Sequence, residues 1–250
     1  MTRVIKIGGR AQNDPTLAQA LLEAAARDRI VVVHGGGDEV SALQRRLGMT
    51  PRFHGGRRVT TPEDLDVVRM VLSGMVNKRL VAALVSVGIR AVGLSGEDDG
   101  LLRARATARE TLGEVGEPAR VDQQLLAVLC GAGFVPVVSP LARDDATGAT
   151  LNVNGDDAAA AIAVALCADE LALIADVPGV MAGGDVVPEL DIEQAAALID
   201  DGTARDGMAA KLQAARRAVE RGVTRVRIGD VGAIRSATAG TVVTLSPTAV

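Results

Sequence analysis

The stretch Ile30-Val31-Val32-Val33-His34-Gly35-Gly36-Gly37-Asp38-Glu39 decides the fold class. Four consecutive β-branched apolar residues, without polar alternation, read as a strand buried on both faces, the signature of a parallel sheet covered by helices. Three glycines end the strand, and a helix is predicted directly after them, from about Asp38 to Leu47. Such a unit brings backbone N–H groups and a helix N-terminus to the carboxyl edge of a sheet, where α/β proteins hold anions. The same grammar stands before it. Thr2 to Ile7 is a short β-branched run ending in Gly8-Gly9, and Asp14-Pro15 supplies an N-cap and first-turn proline for a helix bearing Leu17, Leu21, Leu22 and Ala25.

Working outward, Met49 to Thr60 is irregular, with Gly55-Gly56 and Arg57-Arg58 marking a candidate hairpin. Thr61-Pro62-Glu63-Asp64 starts a helix predicted to reach about Val87 with a break at Gly74. Ile89 to Leu94 reads as a strand, and the polar, alternating residues Leu102 to Glu117 as surface hairpins. A helix over Asp122 to Cys130 and a strand over Phe134 to Val138 follow. After Asn152-Val153-Asn154-Gly155-Asp156 an Ala-rich helix should extend to about Ala168, then a strand over Leu171 to Ala175 ending in Asp176-Val177-Pro178-Gly179. The rest alternates: a short segment at Val186-Val187, helices over Ile192 to Asp200 and Gly207 to Arg221, a strand over Arg225 to Ile228, a helix near Val231 and a strand over Thr241 to Leu245. Alternating strands and helices argue for an α/β protein with a largely parallel sheet.

Composition excludes several functions. The chain has 250 residues, is 48% hydrophobic and 23% charged, and carries a net charge of −4, which suits a soluble chain of one or two domains. Its only aromatic residues are Phe53 and Phe134. No stacking platform for single-stranded nucleic acid can be built from two rings, and the acidic balance points the same way. No apolar run approaches the roughly 20 residues that span a bilayer. The opening residues lack the basic–apolar–small leader pattern, so a cytoplasmic location is expected. Cys130 and Cys167 sit in apolar, helix-like stretches and read as buried thiols. Two Cys, two His and no CxxC make a structural zinc site improbable, and no protein metal site is expected.

The glycine loops are not those of common nucleotide folds. There is no GxxxxGK[ST] and no GxGxxG after a strand, and Gly93-Leu94-Ser95-Gly96-Glu97 does not complete a hydrolase elbow. Either loop alone reads as an ordinary turn. Two together, one directly preceded by Lys6, favour phosphate. Of 27 basic residues only Lys6, Lys78 and Lys211 are lysine. Lys offers a compact point charge where the planar Arg fork does not fit, and phosphoryl transfer needs such charges at non-bridging oxygens. Lys6 precedes a glycine turn and Lys211 lies in the first turns of a helix, whereas Lys78, beside Arg79, reads as a solvated-face residue. Asn152, Asn154 and Asp156 either cap a helix or bind a polar substrate and hold a lysine ammonium. Arg57-Arg58 is either a solvated pair or a carboxylate clamp.

Taken in order, Lys6-Ile-Gly-Gly9, His34-Gly-Gly-Gly37, Arg58-Val-Thr60, Gly93-Leu-Ser-Gly96, Asn152-Val-Asn-Gly-Asp156, Asp176-Val-Pro-Gly179 and Asp206-Gly-Met-Ala-Ala-Lys211 resemble the amino acid kinase family along essentially the whole chain. The resemblance implies a three-layer αβα sandwich with an open, mostly parallel central sheet and two lobes. Residues 1–168 would bind the amino-acid substrate and dimerise, and residues 169–250 would bind ATP. Within the family the motifs are most similar to members that pass the γ-phosphoryl of MgATP to the γ-carboxylate of N-acetyl-L-glutamate in arginine biosynthesis. Kinases of carrier-protein-bound aminoadipate or glutamate are the alternative, and a non-catalytic nucleotide-binding regulator is a third reading. By position, Lys6 and Lys211 would stabilise the transferring group, and Asp156 would orient both. Gly8, Gly9 and Gly36 would bind phosphate; Gly36, Gly37, Arg58 and Asn152 the acceptor. Asp176, Val177, Pro178, Gly179, Thr203, Ala204 and Arg205 would line the nucleotide pocket, with adenine held by aliphatic groups. Mg²⁺ would arrive on the ATP phosphates. Gly155, where the family usually has Ala, implies a looser turn before Asp156. The start of the chain at its first strand implies an arginine-insensitive homodimer.

Overall fold

The two apolar runs nearest the N-terminus lie side by side. Thr2–Ile7 (β1) pairs in parallel with Arg29–His34 (β2), Val4 opposite Val31 and Ile7 opposite His34. In the computed structural model, which describes residues 1–246, the first half of the chain continues with α1 (Leu17–Arg27), α2 (Gly37–Arg46) and a short hairpin, β3 (Phe53–His54) and β4 (Arg57–Arg58). There follow α3 (Pro62–Arg69), a π-helical stretch (Met70–Val76), α4 (Asn77–Ser86), β5 (Ala91–Ser95), β6 (Leu102–Ala106), α5 (Arg109–Leu112) and β7 (Val115–Val121). Next come α6 (Gln124–Gly131), β8 (Val135–Ser139), β9 (Leu141–Asp144), β10 (Thr150–Val153), α7 (Gly155–Ala165) and β11 (Glu170–Ile174). The last part holds β12 (Met181–Ala182), β13 (Asp185–Val186), β14 (Glu189–Asp191), α8 (Ile192–Asp200), α9 (Asp206–Glu220), β15 (Arg225–Gly229), α10 (Gly232–Arg235) and β16 (Thr241–Thr244).

Eight strands form the central sheet in the order β14-β16-β15-β11-β1-β2-β8-β5. The six from β15 to β5 are parallel. β16 runs antiparallel to β15 and carries β14 at the edge. Side chains alternate across the sheet as the strand period requires. Val4, Val31, Val33, Leu171 and Leu173 share a core with Leu126 of α6, Ala159 of α7 and Leu212 of α9. Ile5, Ile7, Ile30, Val32 and Ala172 pack with Leu21 of α1, Leu84 of α4 and Ile234 of α10. Both faces are therefore covered, and the three-layer αβα sandwich expected from the sequence is observed. Each fully buried Val, Leu or Ile contributes about 1.5–3 kcal/mol. No aromatic ring takes part in the buried core, and Phe53 is exposed. In place of rings, alanines of α7 (Ala158, Ala159, Ala163) and of α9 (Ala214, Ala215, Ala218) fill the same core, and α7 packs against α9. Small residues let two helices approach closely, which sets the distance between the side chains α7 and α9 send to the site.

Several expectations need correction. Regular helix begins at Leu17, not at Asp14, although Asp14 Oδ1 accepts the Thr16 N–H and hydroxyl and so caps the turn before it. The helix from Pro62 does not break at Gly74; it widens into π-helix over Met70–Val76 and continues, because Val71, Leu72 and Val76 stay buried. The hairpin expected over residues 102–117 exists, since β6 and β7 pair antiparallel, but it is not confined to the surface. β6 and β7 close with β9 and β10 into a four-stranded ring whose Leu102, Ala104, Leu151 and Val153 are buried in the main core and whose Leu141 packs with Val40 and Leu65. The Ala-rich helix ends at Ala165, and Cys167, at φ 47°, is exposed, not buried; Cys130 is half-buried. The expected final strand ends at Thr244, ahead of Leu245. No helix among the described residues is long and apolar enough to cross a membrane.

Candidate active site

β1 alternates, so Lys6 emerges on the same face as Val4, towards α7. There its Nζ lies 2.8 Å from Asp156 Oδ1, in the first turn of α7. Lys211, from α9, places its Nζ 3.1 Å from Asp156 Oδ2. One carboxylate, 4% exposed, thus holds two ammonium groups that the sequence separates by 205 positions. Burial opposes ionisation of Asp156, but the charges of Lys6 and Lys211 outweigh it and hold the carboxyl below its ordinary range. Burial pulls Lys211 down, and the like charge of Lys6 adds to this, with Asp156 opposing both. Asn154, not Asp156, is the helix cap: its side chain accepts the Asp156 and Asp157 N–H groups. Capping therefore does not occupy Asp156. Gly155 has ordinary helical geometry, not a looser turn. A Cβ there would lie 3.2 Å from Lys6 Cε, so glycine leaves room for the lysine stem.

The glycine turns meet at the carboxyl ends of β1 and β2. Gly36, at φ 154°, adopts a conformation open to glycine, and a Cβ on it would collide with Leu72 Cδ2 at 2.8 Å. The Gly9 and Gly36 N–H groups make no backbone hydrogen bond among the described residues, whereas Gly8 N–H donates to Ile174 O at 2.8 Å and Gly35 N–H to Ile7 O at 2.9 Å. Gly9 and Gly36 are thus free to receive an anion and Gly8 is not. Gly8 instead serves close approach, because a Cβ on it would come 2.9 Å from Ile174 O. A cavity of about 230 Å³ opens here, lined by Lys6, Gly9, Asp38, Asp176 and Lys211.

A second cavity, of about 210 Å³, lies across Gly37 from the first and is lined by Gly36, Arg58, Leu72, Val115 and Asn152. The expected acceptor residues therefore converge. Arg58 is neither a loose solvated residue nor a free clamp. Its Nη2 donates to Gly37 O and Ser41 Oγ, both at 2.7 Å, its Nη1 donates to Gln44 Oε1, and its guanidinium stacks 4.7 Å over Phe53. Asn152 Nδ2 donates to Thr60 Oγ1 at 3.1 Å. The sequence reading missed Ser41, Gln44 and the apolar wall of Val68 and Leu72. Their apolar and small polar types carry no site signal, although their helical spacing marks one face.

Of the expected nucleotide residues, Asp176 lines the first cavity and is held low by a hydrogen bond from Arg10, 3.0 Å away. Val177, Pro178, Thr203 and Arg205 lie outside it. Gly179 and Ala204 lie outside it too and are tightly packed: a Cβ on Gly179 would come 2.6 Å from Val186, and Ala204 adjoins the core. Lys78 is exposed but not idle, since its Nζ donates to Asn77 Oδ1 and Gly93 O. Asn77, also missed, donates to His34 Nε2 at 3.1 Å while His34 Nδ1 faces Gly35 O at 2.8 Å. Burial, reinforced by Lys6, drives His34 down to about 4, so it is neutral at pH 7 and holds the glycine turn as a fixed hydrogen-bonding group.

This geometry accompanies a match of residues 1–230 to the model of the amino acid kinase family. The chain belongs to the amino acid kinase family. Among its relatives, an acetylglutamate kinase of Methanopyrus kandleri is 47% identical over 235 residues, covering 88% of this chain and 91% of that one. An acetylglutamate kinase of Chloroflexus aurantiacus is 42% identical over 235 residues, covering 92% of each. In structure, this kinase superposes on the smu.665 protein of Streptococcus mutans with a TM-score of 0.90, at 29% identity, covering 98% of this chain and 99% of the other.

Proposed function

We infer that this kinase moves the γ-phosphoryl of ATP to the γ-carboxylate of N-acetyl-L-glutamate, giving an acyl phosphate and ADP, as the names of its relatives suggest. The observation that carries the reading is Lys6–Asp156–Lys211, a pair of ammonium groups on one buried carboxylate, at the border of two cavities that share Gly37.

The acceptor carboxylate is ionised at neutral pH and needs no general base. One of its oxygens attacks the γ-phosphorus, the bond from phosphorus to the β-phosphate oxygen breaks, and the electron pair leaves on ADP. No proton moves. The chain's task is alignment and charge neutralisation. Asp156 holds both lysine side chains in place by ion pairs, while Lys6 and Lys211 meet the charge spreading over the equatorial oxygens. The free N–H groups of Gly9 and Gly36 bind the same phosphoryl group. Arg58, fixed by Gly37 O, Ser41 and Gln44, pairs with an acceptor carboxylate, and Asn152 binds its polar end.

The residues present suit Mg²⁺ carried in on the nucleotide. No group of three or more His, Cys, Asp or Glu side chains among the described residues forms a metal cage, and Asp38 and Asp176 are the cavity carboxylates that can face the ion. Mg²⁺ bound there would neutralise charge on the phosphate oxygens. Asp176 to Gly179 and Thr203 to Arg205 would border the nucleotide further out, with adenine between aliphatic groups. The seam between β1 and β11 would divide an amino-acid lobe (1–168) from an ATP lobe (169–250). The exposed apolar residues Met70, Met75 and Val85 on the long α3–α4 helix support a homodimer. A cytoplasmic enzyme of arginine biosynthesis fits these properties.

The test is an ADP-release assay with N-acetyl-L-glutamate, glutamate and aminoadipate as separate acceptors. Turnover on N-acetyl-L-glutamate above the other two is expected. Equal or better turnover on aminoadipate would move the substrate assignment, and ATP binding without turnover on any acceptor would leave a regulator.

A further inference from the structure

At the opposite end of the sheet from the glycine turns, three strands place charged residues in one row. Arg3 of β1 is the register partner of Glu170 of β11, and Glu170 that of Arg225 of β15. All three point away from the face used by Lys6 and Asp156. Arg227, two residues beyond Arg225, points the same way. Glu170, 2% exposed, receives all three guanidinium groups. Arg3 Nη2 lies 2.7 Å from Oε1; Arg225 Nε lies 2.7 Å and Arg227 Nη2 3.4 Å from Oε2. Asp28 adds a second carboxylate, 3.6 Å from Arg3. Burial alone would push the Glu170 carboxyl up, but hydrogen bonding from Arg225 and the charges of Arg3 and Arg227 hold it low.

The charges do not balance. Arg3, Arg27, Arg225, Arg227, Arg235 and the Met1 amino group line a cavity of about 180 Å³ together with Asp28 and Glu170; Arg235 is paired with Glu23 outside the lining, which leaves five cations to two anions. Arg3 and Arg227 are buried, at 7% and 4% exposed, and cannot turn out to water. Among the described residues the terminal nitrogens of Arg225 have no hydrogen-bond partner; its one contact is through Nε. The buried Arg3 and Arg227 engage both of their terminal nitrogens, and the half-buried Arg225 presents the spare planar donors, the kind that receive carboxylate and phosphate oxygens two at a time. So many like charges around one cavity repel one another, and an anion seated there would relieve that repulsion.

We propose that this cavity is a second, non-catalytic binding site for a small oxyanion, a phosphate or carboxylate group, seated against Arg225, Arg227 and Arg27. It lies on the other face of β1 from Lys6, so the ligand would be distinct from the nucleotide and the acceptor.

The experiment follows the thermal midpoint of the full chain with the catalytic cleft saturated by a non-hydrolysable ATP analogue and N-acetyl-L-glutamate. Inorganic phosphate and, separately, succinate are titrated at ionic strength held constant with sodium chloride. A saturable rise in Tm is expected with at least one of them, since a ligand that binds only the folded state stabilises it. The one that saturates at lower concentration identifies the oxyanion class. In Arg225→Gln the half-saturating concentration should rise about tenfold, the scale of one lost charge-assisted hydrogen bond, with kcat in phosphate-free buffer unchanged. Arg27→Gln, at an exposed helix end, serves if Arg225→Gln does not fold. Equal titrations in wild type and variant, or no saturable rise with either anion, would overturn the proposal.

Discussion

Lysine is used where geometry asks for it. At Lys6 and Lys211 a point charge fits against one Asp156 oxygen each, Oδ1 at 2.8 Å and Oδ2 at 3.1 Å, an arrangement that suits a compact ammonium better than a planar fork. If these contacts strengthen as charge develops on the transferring group, Lys211→Ala should lower kcat by about 10²–10³-fold with little change in the KM for ATP, as loss of one transition-state donor does. Lys211→Arg should not restore the rate. Steady-state kinetics with both substrates check this, and near-wild-type kcat would remove Lys211 from the chemistry. His34 gives a different residue-scale prediction. Its folded value of about 4 lies below the ordinary 6.5, so between those pH values the unfolded chain binds a proton the folded chain refuses. The stability His34 confers is full above pH 6.5, declines as pH falls towards 4, and levels off below. The difference amounts to about 3 kcal/mol. Urea melts from pH 7 to 4 should show this decline, and His34→Gln should flatten it.

At the scale of elements, the site depends on where secondary structures begin and end. α7 starts at Gly155 because Asn154 caps it, which puts Asp156 in the first turn beside Lys6. Gly155→Ala would bring a Cβ to 3.2 Å from Lys6 Cε. It should gain up to about 1 kcal/mol of helix propensity yet lower kcat several-fold by displacing the ammonium, at unchanged acceptor KM. Kinetics and a thermal melt on the same variant separate the two effects. The β3–β4 hairpin makes the complementary case. Arg58→Ala should raise acceptor KM about tenfold or more and leave the KM for ATP alone; an unchanged acceptor KM would take Arg58 out of the site. These elements also mark how far the sequence could be read. β1, β2 and α8 were legible to within a residue or two, because unbroken apolar runs and capping residues are local signals. β9 and β10 were not: Leu151 is buried in the core beside the four-stranded ring and Leu141 against Val40, Leu65 and Val68 of α2 and α3, partners far away in sequence, and the sequence around them looks like polar loop. Lys6, Asp156 and Lys211 could be singled out by residue type and position. The roles of Ser41, Gln44 and Asn77 could not, because each follows from a partner 14 to 43 positions away.

At the scale of the molecule, one parallel sheet carries a charged row at each end, phosphoryl chemistry at the carboxyl edge and the arginine cavity at the other. The packing of α7 on α9 sets Lys211 against Asp156, so whatever separates those helices disables the site without touching it. The exposed apolar face of α3–α4 leads to a further prediction. Met70→Glu together with Met75→Glu should convert a dimer to a monomer in light scattering, and a wild-type monomer would dismiss the homodimer. Scarcity of aromatic residues sharpens in the same frame: with small Ala and Val side chains filling the core, α7 packs against both β1 and α9, which bring Lys6 and Lys211 to its Asp156. The most direct test of the phosphoryl-transfer assignment traps the product. Incubated with ATP, Mg²⁺, N-acetyl-L-glutamate and hydroxylamine, the enzyme should yield one hydroxamate for each ADP released, because hydroxylamine captures an acyl phosphate at its carbonyl. ADP released without hydroxamate would contradict phosphorylation of a carboxylate.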